Sequence, residues 1–181
     1  MSIAYKHAPQ FLGDVIYPDT TTANEIQAIE QGRMHANLIL WGPTGTGKST
    51  VARLLAKKLG GYGTQWCDTD YTKVVNEPKP AYAMRVKGEQ VPFFTDGTKY
   101  IMLFEEFDRY PQKRDVLWNA LDETDPEKVM LIITTNHISK IDAPLQSRCK
   151  VFDFPQMSLE KFMPFAMTFS NDRFRDFLGA L

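Results

Sequence analysis

Short apolar segments alternate with polar stretches that contain Gly and Pro along most of the chain. These segments have the length of strands, and the three most apolar ones lack a polar face, which is typical of a parallel sheet covered by helices. We therefore predict five strands. They cover residues 37–41 (NLILW), 64–67 (TQWC), 100–104 (YIMLF), 129–134 (VMLIIT) and 151–154 (VFDF).

Helical patterns lie between several of these segments. Thr22 and Glu25 have the spacing of a capping box, which predicts a helix that ends near Gly32. An apolar stripe predicts a second helix from Lys48 to Leu59, and a third helix is predicted over 112–121. The alternation of strands and helices favours an α/β fold with three layers.

The segment 71–99 interrupts this alternation, because three prolines break any helical period. We predict an irregular insertion with a β-hairpin whose arms are residues 84–86 and 91–93, the second of which contains a proline and lies on a sheet edge. The predicted domain organisation is one unit over 1–156, followed by a short helical tail over 157–181.

The composition is that of a globular protein. Of the 181 residues, 43% are hydrophobic and 24% are charged, which suits one well-packed domain. The formal net charge of −1 gives no reason to expect tight nonspecific DNA binding by the whole surface. The two cysteines lack metal-ligand spacing, and the sequence has neither a bilayer-spanning apolar run nor a signal-peptide pattern. We predict a cytoplasmic protein with no membrane partner.

The sequence GPTGTGKS follows the first predicted strand and opens the second predicted helix. Its glycines permit the backbone to wrap closely around a phosphate, so that N–H groups and the positive helix end face the anion. The lysine supplies a cation for the β and γ phosphates, and the serine hydroxyl binds Mg²⁺. A chance match in a glycine-rich turn is the alternative. The predicted ATP-binding residues are Gly42, Pro43, Thr44, Gly45, Thr46, Gly47, Lys48, Ser49 and Thr50, with Ser49 also a metal ligand.

Two adjacent acids, Glu105 and Glu106, follow the third predicted strand. Nucleotide hydrolysis requires a carboxylate near the metal and a group that polarises water. A buried strand that ends in two acids looks like a Walker B motif, in which Glu105 holds the Mg²⁺ shell and Glu106 orients or deprotonates the attacking water. The first position is usually Asp, so the chain departs from the pattern there. Two solvated acids at a strand end are the alternative interpretation.

The order of these motifs resembles that of AAA+ ATPases, and within them the clamp-loader group. Residues 105–109 (EEFDR) are similar to the DEFDR-type block of that group, and Asn136 ends its strand as a sensor 1 residue does. Residues 147–149 (SRC) are similar to the motif whose arginine reaches the ATP site of a neighbouring subunit. Residues 6–9 and 13–16 are similar to segments that line the adenine pocket.

The resemblance implies a three-layer P-loop NTPase core with a five-stranded, mainly parallel sheet. It also implies that residues 1–156 are the nucleotide-binding domain and that the tail over 157–181 is a truncated or rudimentary lid. It also implies ATP hydrolysis at subunit interfaces, with Mg²⁺ as the metal and with the arginine of the SRC motif acting in trans. The implied catalytic residues are Lys48, Glu106, Asn136 and Arg148, the implied metal ligands are Ser49 and Glu105, and the implied adenine-pocket residues are Val15 and Ile16.

The implied partners are other AAA+ subunits, a sliding clamp and primer-template DNA. In the resembling loaders the helix after the acidic strand faces DNA, and here that segment carries Arg109, Lys113 and Arg114, which suit phosphate contacts. An ATP-gated interaction module with weak hydrolysis, or another AAA+ remodeller such as a helicase loader, is the alternative function. A second candidate DNA patch contains Lys73, Lys79, Arg85, Lys87 and Lys99, interleaved with Tyr71, Tyr82 and Phe93, and a solvated basic loop is the alternative interpretation of this segment.

Overall fold

The structure, a computed structural model, describes residues 8–61, 63–91 and 98–158. Its centre is a five-stranded sheet in the order β2-β3-β4-β1-β5, and every neighbouring pair is parallel. This confirms the predicted α/β fold with a largely parallel sheet. The strands are β1 (Asn37–Trp41), β2 (Cys67–Asp68), β3 (Tyr100–Phe104), β4 (Val129–Thr135) and β5 (Cys149–Asp153).

Helices cover both faces of the sheet and complete the three layers. The helices are α1 (Thr20–Glu30), α2 (Lys48–Gly60), α3 (Tyr71–Val75), α4 (Pro80–Gln90), α5 (Arg114–Asp122) and α6 (Ala143–Gln146). Apolar residues of α1 and α2 pack on one face of the sheet, and those of α3 to α6 pack on the other. All residues of β3 and β4 are buried, as the continuous apolar segments predicted.

The strand bounds differ from the predicted ones mainly at β2. β1 and β3 have the predicted bounds, β4 extends one residue further, and β5 begins two residues earlier than predicted. The predicted strand over 64–67 is mostly a turn, because the amide of Thr64 donates to Gly61 and the amide of Cys67 donates to Thr64. Only Cys67–Asp68 remains to pair with β3.

The first helix begins before the predicted capping box. Asp19 is the N-cap residue, and its side chain accepts a hydrogen bond of 2.8 Å from the amide of Thr22. The helix therefore starts at Thr20 rather than at Thr22, and Asp19 supplies the carboxylate that satisfies the free amide of the first turn.

The predicted irregular insertion and its hairpin are wrong where the structure describes them. Residues 71–90 contain the helices α3 and α4, and the predicted first hairpin arm lies inside α4. Pro80 occupies the first turn of α4, where a helix needs no amide donor, so this proline starts a helix rather than breaking one. Gly88 permits close packing, since a Cβ there would lie 2.8 Å from Val129. Residues 92–93 of the predicted hairpin and the tail from residue 159 onward lie outside the described residues.

Candidate nucleotide-binding and hydrolysis site

The loop between β1 and α2 has a backbone that depends on glycine. Gly42, Gly45 and Gly47 have φ angles of 142°, 83° and 91°, which residues with a Cβ rarely adopt. A Cβ on Gly42 would also lie 2.2 Å from the carbonyl oxygen of Phe154. The loop therefore passes directly against the end of β5 and then turns into the N-terminus of α2.

This loop lies beside the carboxyl ends of β3 and β4, because all strands are parallel and β1 neighbours β4. A cavity is lined there by loop residues 44–50, Glu106 and the strand-end residues 134–136. Its volume is about 260 Å³. The positive N-terminal end of α2 opens into it, which favours a bound anion. The structure thus brings Lys48, Ser49, Glu106 and Asn136 together, although up to 88 positions of sequence separate them.

Lys48 is buried at the centre of the loop, with 6% of its surface exposed. Its ammonium group donates hydrogen bonds of 2.7 Å and 2.6 Å to the carbonyls of Gly42 and Pro43. Burial lowers the pKa of Lys48, and the negative charges of Asp108 and Glu106 partly oppose that change. The ammonium has a third N–H group, which suits a phosphate oxygen.

Glu106 has an unusual backbone conformation that turns the chain at the end of β3. Its φ of 52° lies in the left-handed region, and its amide donates a hydrogen bond of 3.1 Å to the hydroxyl of Thr134 on β4. The carboxylate forms an ion pair with Arg109, and 46% of the side chain is exposed. This carboxylate lines the cavity and has access to solvent, as a group that activates water requires.

Glu105 does not line the cavity, although it precedes Glu106 directly. Alternate residues of a strand face opposite sides, and Glu105 follows the face that packs on α2. There its carboxylate accepts hydrogen bonds of 2.5 Å and 2.7 Å from the guanidinium of Arg53. The structure therefore separates the two predicted acids.

Asp108 is a site residue that the sequence interpretation did not single out. Its carboxylate accepts a hydrogen bond of 3.0 Å from Thr135 and lies 3.8 Å from the ammonium of Lys140. Burial alone raises the pKa of Asp108, but hydrogen bonds from Thr135 and from the backbone of Asn136 lower it overall. Asp108 thus connects the turn after β3, which contains Glu105 and Glu106, to the end of β4. Its position two residues after Glu106 is the sequence feature that could have identified it as a site residue.

The two predicted adenine-pocket residues occupy different environments. Ile16 lines a second cavity of about 170 Å³ with Thr46 of the phosphate loop and with residues 155–158 after β5. Val15 packs instead against the apolar core on the α1 and α2 side. The second cavity adjoins the phosphate loop through Thr46, which suits the base of a nucleotide whose phosphates occupy the first cavity.

Arg148 lies at the amino ends of the strands, whereas the phosphate loop lies at their carboxyl ends. Arg148 directly precedes β5, and β5 pairs with β1 from Asn37 opposite Cys149 to Trp41 opposite Asp153. These four steps separate the two ends by about 13 Å at roughly 3.3 Å per residue. The structure therefore does not bring Arg148 to the cavity of its own chain.

Several residues of the predicted basic patches are engaged inside the protein. Lys99 is 1% exposed, and its ammonium donates a hydrogen bond of 2.6 Å to the carbonyl of Pro126. Lys87 donates to Asp68, and Arg114 donates to the carbonyls of Tyr110 and Phe107 and stacks on the ring of Phe107. These three cations are structural, so they do not form an exposed phosphate-binding surface. Phe93 lies outside the described residues.

Comparison with known proteins extends these observations. The model of the ATPase family associated with various cellular activities (AAA) matches residues 38–156. The chain belongs to this AAA family. The match covers the phosphate loop, residues 105–109, Asn136 and Arg148, whereas Val15 and Ile16 precede it.

Curated relatives of this AAA protein are replication factor C small subunits. Small subunit 1 of Pyrobaculum aerophilum is 26% identical over 161 residues, which cover 84% of this chain and 46% of the relative. The small subunit of Aeropyrum pernix is 28% identical over 160 residues, which cover 84% and 47%. The chain thus spans about half the length of these relatives.

Among solved structures, the RuvB Holliday junction branch migration motor of Thermotoga maritima has the same fold. The TM-score is 0.55 at 17% sequence identity, and the match covers 82% of this AAA chain and 48% of the RuvB chain. Within the part of the chain that the structure describes, no helix has both the length and the apolar character needed to cross a membrane.

Proposed function

We propose that this chain is an ATP-hydrolysing AAA+ subunit of a clamp-loader type of assembly and that ATP is hydrolysed where two subunits meet. The observation that carries the proposal is the cavity lined by the phosphate loop, Glu106 and Asn136, with Arg148 at the opposite, amino ends of the strands. The similarity to replication factor C small subunits supports the replication context. Other AAA+ subunits, a sliding clamp and primer-template DNA are the proposed partners, and the cytoplasm is the proposed location.

The residues of the cavity have complementary roles in this proposal. Amides of the loop and the ammonium of Lys48 bind the β and γ phosphates. Glu106 accepts a proton from a water molecule whose oxygen bonds to the γ phosphorus, and Asn136 orients that water. The bond between the γ phosphorus and the bridging oxygen breaks, so that the products are ADP and inorganic phosphate.

Ser49 lines the cavity and offers a hydroxyl, and Glu105 offers a carboxylate at the end of β3, outside the cavity lining. Mg²⁺ binds proteins through few such oxygen ligands while keeping waters and substrate phosphates. Across residues 8–61, 63–91 and 98–158, no group of three His, Cys, Asp or Glu side chains is placed to hold a metal. When bound, the ion neutralises charge on the phosphates. We propose that Ser49 and Glu105 hold it, after Glu105 exchanges its contact with Arg53.

The Arg53–Glu105 pair gives a test of this metal assignment. We expect Arg53→Met to lower the Mg²⁺ concentration needed for half-maximal binding of a fluorescent ATP analogue by about two- to fivefold, because exposed ion pairs contribute ~0.2–1 kcal/mol. Lys57→Met removes a cation from the same helix and serves as the control. A Mg²⁺ requirement that is identical in the two variants and the original protein would remove Glu105 from the metal site.

The function itself is tested by steady-state ATPase measurements. We expect slow turnover by the chain alone, and at least a several-fold stimulation when a sliding clamp, primed DNA and the other loader subunits of the same source are added together. Each component added singly is the control. ATP binding without turnover under all of these conditions would contradict the enzyme and favour an interaction module gated by ATP binding alone.

A further inference from the structure

Arg148 is held by residues of α5 in an arrangement that fixes its guanidinium group. Its Nε and Nη2 donate hydrogen bonds of 2.7 Å each to the two carboxylate oxygens of Asp122, the last residue of α5. Its Nη1 donates a hydrogen bond of 2.8 Å to the carbonyl of Pro144. The guanidinium carbon lies 4.9 Å from the centre of the ring of Trp118, one turn earlier on α5.

These contacts use part of the hydrogen-bonding capacity of the guanidinium. An arginine has five N–H donors, and the contacts with Asp122 and Pro144 use three of them. One N–H remains on Nη1 and one on Nη2, and N–H donors of a guanidinium suit phosphate oxygens. The side chain of Arg148 is 29% exposed, so part of it is open to solvent.

The contact with Arg148 also favours the ionised form of the Asp122 carboxylate. The hydrogen bond from Arg148 lowers the pKa of Asp122, so the carboxylate is ionised at neutral pH. An ionised carboxylate accepts on both oxygens at once, whereas an amide in its place accepts on one oxygen only. The bidentate contact therefore defines the orientation of the guanidinium plane.

We propose that Asp122 is a positioning residue, which holds Arg148 so that its two remaining N–H groups point toward the γ-phosphate of ATP bound to the neighbouring subunit. The inference rests on the proposed function of Arg148 in trans. A long side chain free in solvent has many rotamers, and ordering it at the moment of reaction costs entropy. A guanidinium already oriented in each subunit avoids that cost, and small errors in its placement reduce the rate strongly.

The test compares Asp122→Asn with Asp122→Glu, with Arg148→Ala and with the double variant Asp122→Asn/Arg148→Ala, all in the assembled, clamp- and DNA-stimulated state. Glu123→Gln removes the neighbouring exposed charge and is the matched control. We expect Asp122→Asn to lower kcat by about 10- to 100-fold with KM for ATP unchanged. Asp122→Glu restores part of the loss, and the double variant is no slower than Arg148→Ala alone.

A second measurement separates positioning from a general loss of structure. We expect Asp122→Asn to weaken binding of ADP–aluminium fluoride, a mimic of the transferring phosphoryl group, without changing binding of ATP or the midpoint of thermal unfolding by more than the Glu123→Gln control. An unchanged or faster kcat in Asp122→Asn, or independent losses that add in the double variant, would overturn the inference. If Arg148→Ala itself keeps full turnover, the proposed trans role fails first and the positioning role fails with it.

Discussion

Glu106→Gln is expected to bind ATP as the original protein does and to lose nearly all hydrolysis. A general base contributes typically about 10²–10⁴ to the rate, and the amide of Gln has no comparable basicity. The substitution keeps the shape of the side chain. It removes the ion pair with Arg109, but this pair is largely exposed and contributes little to folding.

The measurement pairs single-turnover hydrolysis with equilibrium binding of a fluorescent ATP analogue. Glu127→Gln, on an exposed loop before β4, controls for the loss of one negative charge. We expect the control to keep both properties. Hydrolysis by Glu106→Gln within a few-fold of the original protein would remove Glu106 from the catalytic role. Loss of ATP binding would instead show that the carboxylate supports the loop and does not act on water.

The sequence predicted the sheet well because its signals are local. β1 and β3 are continuous apolar segments between turn residues, and their bounds follow from where those apolar segments begin and end. The helices α3 and α4 were missed because a proline was interpreted as a helix breaker when it occupies the first turn. That distinction depends on where the helix begins, and the packing of Gly88 against Val129 helps to decide it.

The candidate site shows the same division between local and distant information. The phosphate loop is one contiguous segment, so its residues and their chemistry follow from the sequence. The partner of Glu105 does not, because Arg53 is 52 positions away and meets it only once α2 packs on the sheet. The contact between Arg148 and Asp122 likewise joins residues 26 positions apart. Side-chain orientation at such contacts depends on tertiary packing, which a motif does not encode.

Arg148→Ala is expected to leave ATP binding intact and to reduce turnover only in the assembled protein. The residue lies at the amino ends of the strands, about 13 Å along β1 from the phosphate loop of its own chain. A guanidinium aimed at the γ-phosphate neutralises the charge that spreads over the transferring group, and its removal costs about 10³–10⁵ in rate where such an arginine acts. The slow basal rate of the isolated chain is therefore expected to be unaffected.

Mixing two variants that each lack the turnover of the assembled protein distinguishes action in trans from action within one chain. Lys48→Ala lacks a functional phosphate loop but supplies Arg148. Arg148→Ala supplies a functional phosphate loop but lacks the arginine. If neighbouring subunits of this chain contact each other head to tail, random mixing in equal amounts restores about one quarter of the interfaces. We expect the mixture to regain ATPase activity that neither variant shows alone. A basal rate lowered equally in isolated Arg148→Ala, together with no recovery on mixing, would place the arginine in the site of its own chain.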